Sequence, residues 1–506
     1  MVAPQNERRI SKGTVILIGL IVLKFVLQAV LISPVYELHR DELLHLDQAN
    51  HLAWGYLSVP PATSWISSMI KLLGNSVFWV KFFPALFGAL TLAVVWKAIE
   101  TLGGNLFARL LGATCVLFSA LLRLNTLYQP NSLDVLSWTA FYAVVVGYLQ
   151  SENHRWLYVG AVVFAIGFLN KYNIIFLLIG LSAILLTPAR KVLTRKAFFG
   201  AMALAALLVL PNLLWQYQHD FPVMKHLREL SQTQLVHVDR WGFLTAQLLF
   251  FFGSLPVIVA GLYALCHYRP LIKYSSFFWV FFATLGVFVF FRAKDYYAIG
   301  LYPIYIAFGS VYLGDVFSTG WRRYLRPILV AIPVLIFIPM YRFAFPNKQP
   351  ADIVKQGYQH RWEDGKNHLL PQDYADMLGW KELARKVDRA YAGLPDPEKT
   401  LVLCDNYGQA GAINFYTTEG VTAVSFSADY VNWFDLDKPY AHLIRVKNAS
   451  GAADEWVETA PFFQSATKAD SVTNRFAREQ GTVIFVFLGA EIDINKRIAA
   501  ELARAD

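Results

Sequence analysis

Residues 13–32, GTVILIGLIVLKFVLQAVLI, form an apolar run that is followed at residues 39–45 by the charged stretch HRDELLH. The run has the roughly 20 residues that an α-helix needs to cross a bilayer. Arg8, Arg9 and Lys12 precede it, as basic residues precede the core of a signal peptide. The run is too long for such a core and lacks a small-residue cleavage site. We therefore interpret it as a retained first transmembrane helix.

The composition indicates a polytopic membrane protein. Of the 506 residues, 56% are hydrophobic and only 16% are charged. The mean hydropathy of +0.40 is too apolar for a soluble protein of this size. The formal net charge of +9 does not indicate a nucleic-acid partner, because the basic residues cluster in short loops between apolar runs. The partner that this charge pattern predicts is the lipid bilayer.

Eleven apolar runs are long enough, or nearly so, to span a membrane. They lie at residues 13–32, 76–96, 106–124, 133–150, 156–169, 171–187, 197–214, 242–266, 275–291, 296–317 and 325–343. The fifth and sixth runs form either two tight helices or one broken helix. Basic clusters, such as those at residues 190–196 and 322–326, fall in alternate loops, which the positive-inside rule assigns to the cytoplasm. The N-terminus is then cytoplasmic, and the remaining loops face outward.

The composition changes near residue 344, after which charged residues are frequent and no further run could span. We predict two domains, a multi-spanning membrane domain at residues 1–343 and an extracytoplasmic soluble domain at residues 344–506. Strands are predicted at 400–404, 442–446 and 482–488, and helices at 378–391 and 492–504. The second domain is therefore expected to be of the α/β or α+β class.

Adjacent acidic residues, Asp41 and Glu42, follow Arg40 in the first outer loop. On a helix their side chains point about 100° apart, so one of them is expected to be the working carboxylate. We favour Asp41 as a general base, because Arg40 would keep it ionised. The structural alternative is that Asp41 caps an amphipathic helix over residues 42–54.

The histidines of this loop, His39, His45 and His51, recur at six-residue spacing. Six residues on a helix do not return to the same face, so a metal site built from these histidines alone is not predicted. We interpret them as interfacial or scaffold side chains.

Two further ionisable residues interrupt apolar sequence on the predicted outer side, Asp134 and Lys171. An ionisable residue at that depth indicates function, although Asp134 or Asn131 could instead cap the fourth helix. Lys171 carries a compact positive charge suited to a phosphate, and snorkelling to the interface is its structural alternative.

Two outer segments combine charged and aromatic residues. Residues 292–297, RAKDYY, place two cations and two phenols where few cations are expected, which indicates contact with an anion such as a lipid phosphate. Residues 215–240 could form an interfacial helix that covers the pocket.

The order of several motifs resembles bacterial membrane glycosyltransferases of the protein O-mannosyltransferase and aminoarabinose-transferase superfamily. The motifs are HRDE at 39–42, AWGY at 53–56, PP at 60–61, YQPNSLD at 128–134, NKY at 170–172, PNLLWQ at 211–216, HDFP at 219–222, KDYY at 294–297, NYGQA at 406–410 and NFY at 414–416. This resemblance covers roughly residues 15–420.

The resemblance implies a GT-C fold, an active site on the extracytoplasmic face and a polyprenyl-phosphate-linked sugar donor. It implies that Asp41 is catalytic, with Glu42 as its companion. It implies that Lys171 and the segment 292–297 face the donor phosphate and that Asp134 is the second acidic position. The residues that we predict to bind the donor phosphate and sugar are Arg40, Asp134, Lys171, Arg292, Lys294, Tyr296 and Tyr297. Some relatives hold a divalent metal near the phosphate, but no clear ligand set for a metal occurs in this sequence.

The function expected from these residues is inverting transfer of a sugar to an acceptor hydroxyl in the bacterial inner membrane, with Asp41 as the base. The acceptor class stays open between glycan, lipid and protein. The alternative is a transporter or flippase of a lipid-linked sugar. A transporter should place its ionisable residues near the bilayer midplane, whereas these residues cluster on one predicted face, which favours the enzyme.

Overall fold

The computed structural model describes residues 11–233 and 238–505. The chain divides into two compact units: Met1–Leu31 with Lys81–Phe345, and Ile32–Val80 with Pro346–Asp506. The first is called the membrane unit below and the second the C-terminal unit. The loop that contains Asp41 therefore belongs to the same compact unit as the residues after 345, whereas the predicted domain boundary at residue 344 separates them.

Helices account for most of the chain up to residue 345. They are α1 (Lys12–Val30), α2 (Arg40–Asp47), α3 (Ala62–Leu72), α4 (Val77–Thr101), α5 (Leu106–Leu117), α6 (Ala120–Leu124), α7 (Asn131–Ser151), α8 (Arg155–Asn170), α9 (Ile174–Leu181), α10 (Lys196–Gln218), α11 (Pro222–Thr233), α12 (Arg240–Phe250), α13 (Leu255–His267), α14 (Ser276–Phe290), α15 (Tyr302–Val316) and α16 (Arg326–Ala344). Short 3-10 segments extend or connect several of them, including Ser182–Leu186 and Asp295–Leu301.

The eleven predicted apolar runs each correspond to a helix or to a bent pair of helices. Within the described residues, six helices are long and apolar enough to cross a membrane, or up to eight spans if each of two bent pairs counts as one. Three shorter apolar helices, α5, α8 and α14, supply the remaining runs. The fifth and sixth runs are two separate helices, because α8 ends at Asn170 and α9 begins at Ile174. The protein is thus a multi-span α-helical membrane protein.

The core of the membrane unit is rich in aromatic side chains. Trp138, Tyr142 and Tyr305 are completely buried, and the rings of Phe281 and Tyr305 are 4.8 Å apart at an angle of 65°. Edge-to-face contacts of this kind add to the burial of large apolar area. These contacts hold α7, α14 and α15 together. The packing of α7 bears on the site, because this helix begins next to a group of predicted site residues.

The C-terminal unit is built around a five-stranded sheet. The strands of this sheet are β3 (Thr400–Cys404), β4 (Ala423–Ser425), β5 (His442–Lys447), β6 (Phe463–Ser471) and β7 (Val483–Ala490), and a separate short hairpin of β1 (His360–Arg361) and β2 (Asn367–His368) precedes them. The helices after residue 345 are α17 (Pro350–Val354), α18 (Gln372–Ala375), α19 (Trp380–Ala392), α20 (Tyr407–Tyr416), α21 (Ala452–Thr459) and α22 (Ile494–Ala505). The sheet order is β4-β3-β5-β7-β6, with β3 parallel to β4 and β5 and the other pairs antiparallel.

The predicted α/β or α+β class of the tail is confirmed, and the five predicted segments correspond to β3, β5, β7, α19 and α22. The sequence did not predict β6, in which charged and polar residues are exposed at the edge of the sheet. It also did not assign a structure to α20, which connects β3 to β4 as a parallel crossover. This helix is one of the elements that contact the loop containing Asp41.

Candidate functional site

The predicted acidic pair lies in the first turn of α2, and a reciprocal capping box fixes that turn. His39 is the N-cap, and its Nδ1 accepts a hydrogen bond from the backbone N–H of Asp41 at 3.2 Å. The backbone N–H of His39 donates to Glu42 Oε2 at 2.7 Å. The suggestion that Asp41 itself caps a helix over residues 42–54 is therefore wrong, because the helix starts at Arg40 and ends at Asp47.

The two carboxylates of the pair have different surroundings. Glu42 is completely buried, and its carboxylate accepts the hydrogen bond of the backbone N–H at the N-cap of its own helix. The Asp41 side chain is 38% exposed, and its Oδ1 accepts a hydrogen bond from Tyr407 Oη at 2.8 Å. Only Asp41 therefore combines solvent access with a defined carboxylate orientation.

The charge of Asp41 is stabilised by its neighbours. Burial opposes ionisation, but His39, Arg40 and the Tyr407 hydroxyl together outweigh it and hold the pKa of Asp41 below its usual value. The Arg40 guanidinium lies over the Tyr407 ring, 4.3 Å from its centroid. At neutral pH Asp41 is consequently a carboxylate, which is the form that a general base requires.

The position of Tyr407 follows from how α20 begins. Asn406 is the N-cap, and its side chain accepts hydrogen bonds from the backbone N–H groups of Gly408 and Gln409. A Cβ at Gly408 would lie 3.2 Å from the Arg40 Cβ, so the absence of a side chain there lets the starts of α20 and α2 approach closely. The sequence contained this motif, NYGQA, but nothing in its pattern indicated a contact with the first outer loop.

Other polar residues of the loop that contains Asp41 bind residues 346–506, which are called the C-terminal segment below. Asp47 is buried, and its Oδ2 accepts hydrogen bonds from Tyr430 Oη and Asn414 Nδ2, both at 2.6 Å. Gln48 Nε2 donates to Asp429 Oδ2 at 3.0 Å. These contacts give the loop a fixed structure within the C-terminal unit.

The loop histidines have structural partners, as the interpretation of them as scaffold residues expects. His39 caps α2, His45 is buried, and the His51 ring stacks on Trp433 at a centroid distance of 4.2 Å. Within residues 11–233 and 238–505, no group of three or more His, Cys, Asp or Glu side chains could hold a metal ion.

A second group of predicted residues lies in the membrane unit, where α7 begins. Asp134 is buried, and its carboxylate accepts hydrogen bonds from Trp138 Nε1 at 3.1 Å and from Asn173 Nδ2 at 2.9 Å. Helix capping by Asp134 or Asn131 is excluded, because Pro130 is the N-cap and no side chain caps this helix. Asp134 therefore positions Asn173, whose amide also donates to the backbone carbonyl of Tyr297 at 3.0 Å.

Lys171 joins this group from the end of α8. Its Nζ donates to Asn131 Oδ1 at 2.8 Å and lies 4.2 Å from the centroid of the Tyr297 ring and 5.1 Å from that of Tyr296. This side chain is directed at specific partners within the membrane unit. The structure thus brings together four of the residues assigned to the donor: Asp134, Lys171, Tyr296 and Tyr297.

The two remaining basic residues flank the tyrosines. Lys294 is the N-cap of the 3-10 segment Asp295–Leu301. Arg292 is exposed and has a φ of 50°, a left-handed conformation that is uncommon for residues other than glycine. The helix α11 lies within the segment 215–240, for which a helix was predicted. The basic residues Arg8 and Arg9 lie outside the residues that the structure describes.

The predicted site residues fall into two sets. Arg40, Asp41 and Glu42 belong to the C-terminal unit, whereas Asp134, Lys171, Arg292, Lys294, Tyr296 and Tyr297 belong to the membrane unit. The first set offers an ionised, partly exposed carboxylate, and the second a lysine framed by phenol rings. These are the groups needed, respectively, to accept a proton and to bind an anion.

Comparisons with known proteins give two partial sequence matches. Residues 58–215 match the family described as dolichyl-phosphate-mannose-protein mannosyltransferase. The lipid A galacturonosyltransferase RgtD of Rhizobium johnstonii is 27% identical over 195 residues, which is 38% of this chain and 41% of the relative. The sequence match therefore spans less than half of that protein.

Solved structures resemble the chain over a greater length. ArnT from Cupriavidus metallidurans bound to undecaprenyl phosphate has a TM-score of 0.64 at 12% identity, covering 95% of this chain and 98% of that one. The oligosaccharyltransferase of Archaeoglobus fulgidus has a TM-score of 0.51 at 10% identity, covering 88% of this chain and 70% of that one. The chain thus has the GT-C fold, and its resemblance to the membrane glycosyltransferases of this superfamily is confirmed.

Proposed function

We propose that the protein is a membrane glycosyltransferase that moves a sugar from a polyprenyl-phosphate donor to an acceptor hydroxyl. The observation that carries this proposal is Asp41, a partly exposed carboxylate whose pKa is held below its usual value by His39, Arg40 and Tyr407. Structural similarity to a protein bound to undecaprenyl phosphate, and partial sequence similarity to a lipid A galacturonosyltransferase, support the same reaction class.

Asp41 is assigned the role of general base. It accepts the proton of the acceptor hydroxyl while the hydroxyl oxygen attacks the anomeric carbon of the donor sugar. The bond between that carbon and the phosphate oxygen breaks in the same displacement, so the sugar is transferred with inversion. Glu42 is assigned to holding the start of α2, because its carboxylate is buried in the capping box.

Lys171 is assigned to the donor phosphate. A polyprenyl phosphate leaves as an anion, and a lysine in a setting with little water stabilises the charge that develops on it. Tyr296 and Tyr297 border the ammonium group, and Arg292 and Lys294 add positive charge to the same segment of chain. Asp134 acts indirectly, by positioning Asn173 beside the Tyr297 backbone.

The proposed location of the reaction is the extracytoplasmic face of the bacterial inner membrane. The basic clusters of alternate loops support this orientation, which places the loop of Asp41 and the C-terminal residues 344–506 outside. The acceptor is proposed as a hydroxyl of a lipid, glycan or protein of the cell envelope, and lipid A is the first to test because RgtD is named for it.

The test is a transfer assay with the purified full-length protein in lipid nanodiscs. Undecaprenyl phosphate carrying galacturonic acid or mannose is the donor, lipid A and other envelope hydroxyl compounds are acceptors, and released undecaprenyl phosphate is measured. We expect Asp41→Asn to abolish release while the protein remains folded and inserted. Asp437→Asn is the matched control, because Asp437 is an exposed carboxylate of the same unit.

Two outcomes would contradict the proposal. Near-normal activity of Asp41→Asn would remove the assigned base, and wild-type protein that releases no lipid phosphate with any donor and acceptor would remove the transferase. A transporter would instead move the intact lipid-linked sugar between leaflets without releasing the phosphate. The same assay therefore separates the two functions.

A further inference from the structure

Tyr407 lies 366 residues from Asp41 in the sequence and is its hydrogen-bond partner in the folded C-terminal unit. We propose that Tyr407 is a positioning residue for Asp41, supplied by the C-terminal segment to complete the catalytic carboxylate. This inference rests on the function proposed above, in which Asp41 is the general base. It assigns to the C-terminal segment a direct part in the reaction.

The hydroxyl of Tyr407 is held in place from two sides. Asn406 fixes the first turn of α20, which sets the backbone of Tyr407. The Arg40 guanidinium covers the ring, 4.3 Å from its centroid, and this cation–π contact restricts rotation of the side chain. The phenol oxygen therefore has a defined position 2.8 Å from Asp41 Oδ1.

Tyr407 remains a hydrogen-bond donor wherever Asp41 is ionised. Burial and the neighbouring Asp41 raise the pKa of Tyr407 well above its ordinary value, so the phenol keeps its proton. A donor that does not titrate fixes one carboxylate oxygen, and the 38% exposure of the side chain leaves the carboxylate accessible to an acceptor. The expected role is to hold Asp41 in one orientation during proton transfer.

A second tyrosine–aspartate pair in the same unit provides a matched control. Tyr430 Oη donates to Asp47 Oδ2 at 2.6 Å, and Asp47 also accepts hydrogen bonds from Asn414 and Asn50. Because Asp47 is buried among these donors, the pair holds structure and offers no accessible carboxylate. Tyr430→Phe removes the same kind of hydrogen bond without touching Asp41.

The experiment compares Tyr407→Phe with Tyr430→Phe in the full-length protein, using the undecaprenyl-phosphate sugar assay across a range of pH. Tyr407→Phe should lower kcat about tenfold or more with little change in KM for the donor, because orientation is lost and donor binding is not. Loss of a donor to a carboxylate disfavours its charged form, so the acidic limb of kcat/KM should move to higher pH by about one unit. Tyr430→Phe should keep the wild-type kcat and acidic limb.

Other results decide against the inference. If Tyr407→Phe changes kcat and the acidic limb no more than Tyr430→Phe does, Tyr407 has no positioning role. If the phenylalanine variant fails to fold, 3-fluorotyrosine at position 407 keeps the ring and the hydroxyl but is a stronger donor. The acidic limb must then move to lower pH, and an unchanged limb overturns the inference. Activity retained in Asp41→Asn would instead refute the underlying proposed function.

Discussion

At the scale of single residues, the surroundings of a side chain decide the role that is proposed for it. Asp41 and Glu42 are neighbours in sequence, yet one is partly exposed and the other is buried in a capping box. Asp134 and Lys171 are also distinguished by their partners, since Asp134 accepts two side-chain hydrogen bonds and Lys171 is bordered by aromatic rings. The proposed roles of base, scaffold and phosphate ligand follow from these differences.

Lys171→Met is expected to weaken the use of the donor. The substitution keeps a flexible, unbranched side chain of similar length but removes the charge that faces Asn131 and Tyr297. Loss of one group that stabilises a developing negative charge typically lowers kcat by about 100- to 1000-fold, and KM for the undecaprenyl-phosphate sugar should rise as well. The measurement is steady-state release of undecaprenyl phosphate.

Lys97→Met is the control for this variant. Lys97 is an exposed lysine that forms an ion pair with Glu100 at 2.6 Å, and it has no assigned role in the reaction. Its loss should leave kcat and the KM for the donor unchanged. Donor kinetics of Lys171→Met that match those of Lys97→Met would show that Lys171 does not bind the phosphate.

The sequence indicated Asp41, Asp134 and Lys171 because a charge beside an apolar run is conspicuous in any single segment of chain. Tyr407 gave no such signal, since a partly buried tyrosine in a polar domain is ordinary. Its importance depends on a partner 366 residues away, and that separation is a property of the tertiary structure alone. For the same reason the sequence could not decide which of the two adjacent carboxylates becomes buried.

At the scale of elements, the central pairing is that of α2 with α20. Arg40 lies near Gly408, Leu43 near Gly411 and Asp47 near Asn414, so the two helices run side by side in the same direction. Both helices begin with side-chain caps, at His39 and Asn406, which places their two first turns together. Asp41 and Tyr407 meet because both belong to these first turns.

Gly411→Ala should disturb this pairing. A Cβ at position 411 would lie 3.0 Å from the Cβ of Leu43 and from the hydroxyl of Tyr430, which is closer than normal van der Waals contact. Overpacking of this kind typically costs about 1–3 kcal/mol. The thermal unfolding midpoint and the transfer rate should therefore fall together.

Gly393→Ala serves as the control for the glycine substitution. A Cβ at position 393 would have its nearest neighbours at 3.6 Å, an ordinary contact, and the residue lies at the end of α19. Wild-type stability and activity are expected. If Gly411→Ala behaves in the same way, close approach at Gly411 is not required for the pairing of α2 and α20.

At the scale of the whole molecule, the chain alternates between its two units. The C-terminal unit takes Ile32–Val80 from the start of the chain and Pro346–Asp506 from its end, while Lys81–Phe345 forms most of the membrane unit. The apolar runs could be found from sequence because hydropathy and length are local properties. The sequence could not show that the first loop belongs to the C-terminal unit, because this depends on contacts such as that of Gln48 with Asp429, which no local pattern encodes.

Deletion of residues 346–506 is expected to abolish transfer although all the membrane helices remain. The residues 32–80 would lose the partners of Asp41, Asp47 and Gln48 and could not keep their structure. Limited proteolysis should cut this loop in the deleted protein and spare it in the full-length protein. If the deleted protein keeps both its activity and the resistance of this loop to proteolysis, residues 32–80 do not depend on residues 346–506 for their structure.

If Tyr407 orients Asp41 as proposed, the separation of the two residues sets the earliest point of biosynthesis at which the protein can become active. The loop that carries Asp41 leaves the ribosome 366 residues before Tyr407 does, and at about 5–20 residues per second this corresponds to a delay of roughly 20–70 seconds. Throughout that interval the nascent chain holds a carboxylate without its orienting phenol. We therefore expect a chain that terminates before Tyr407 to be inserted but inactive.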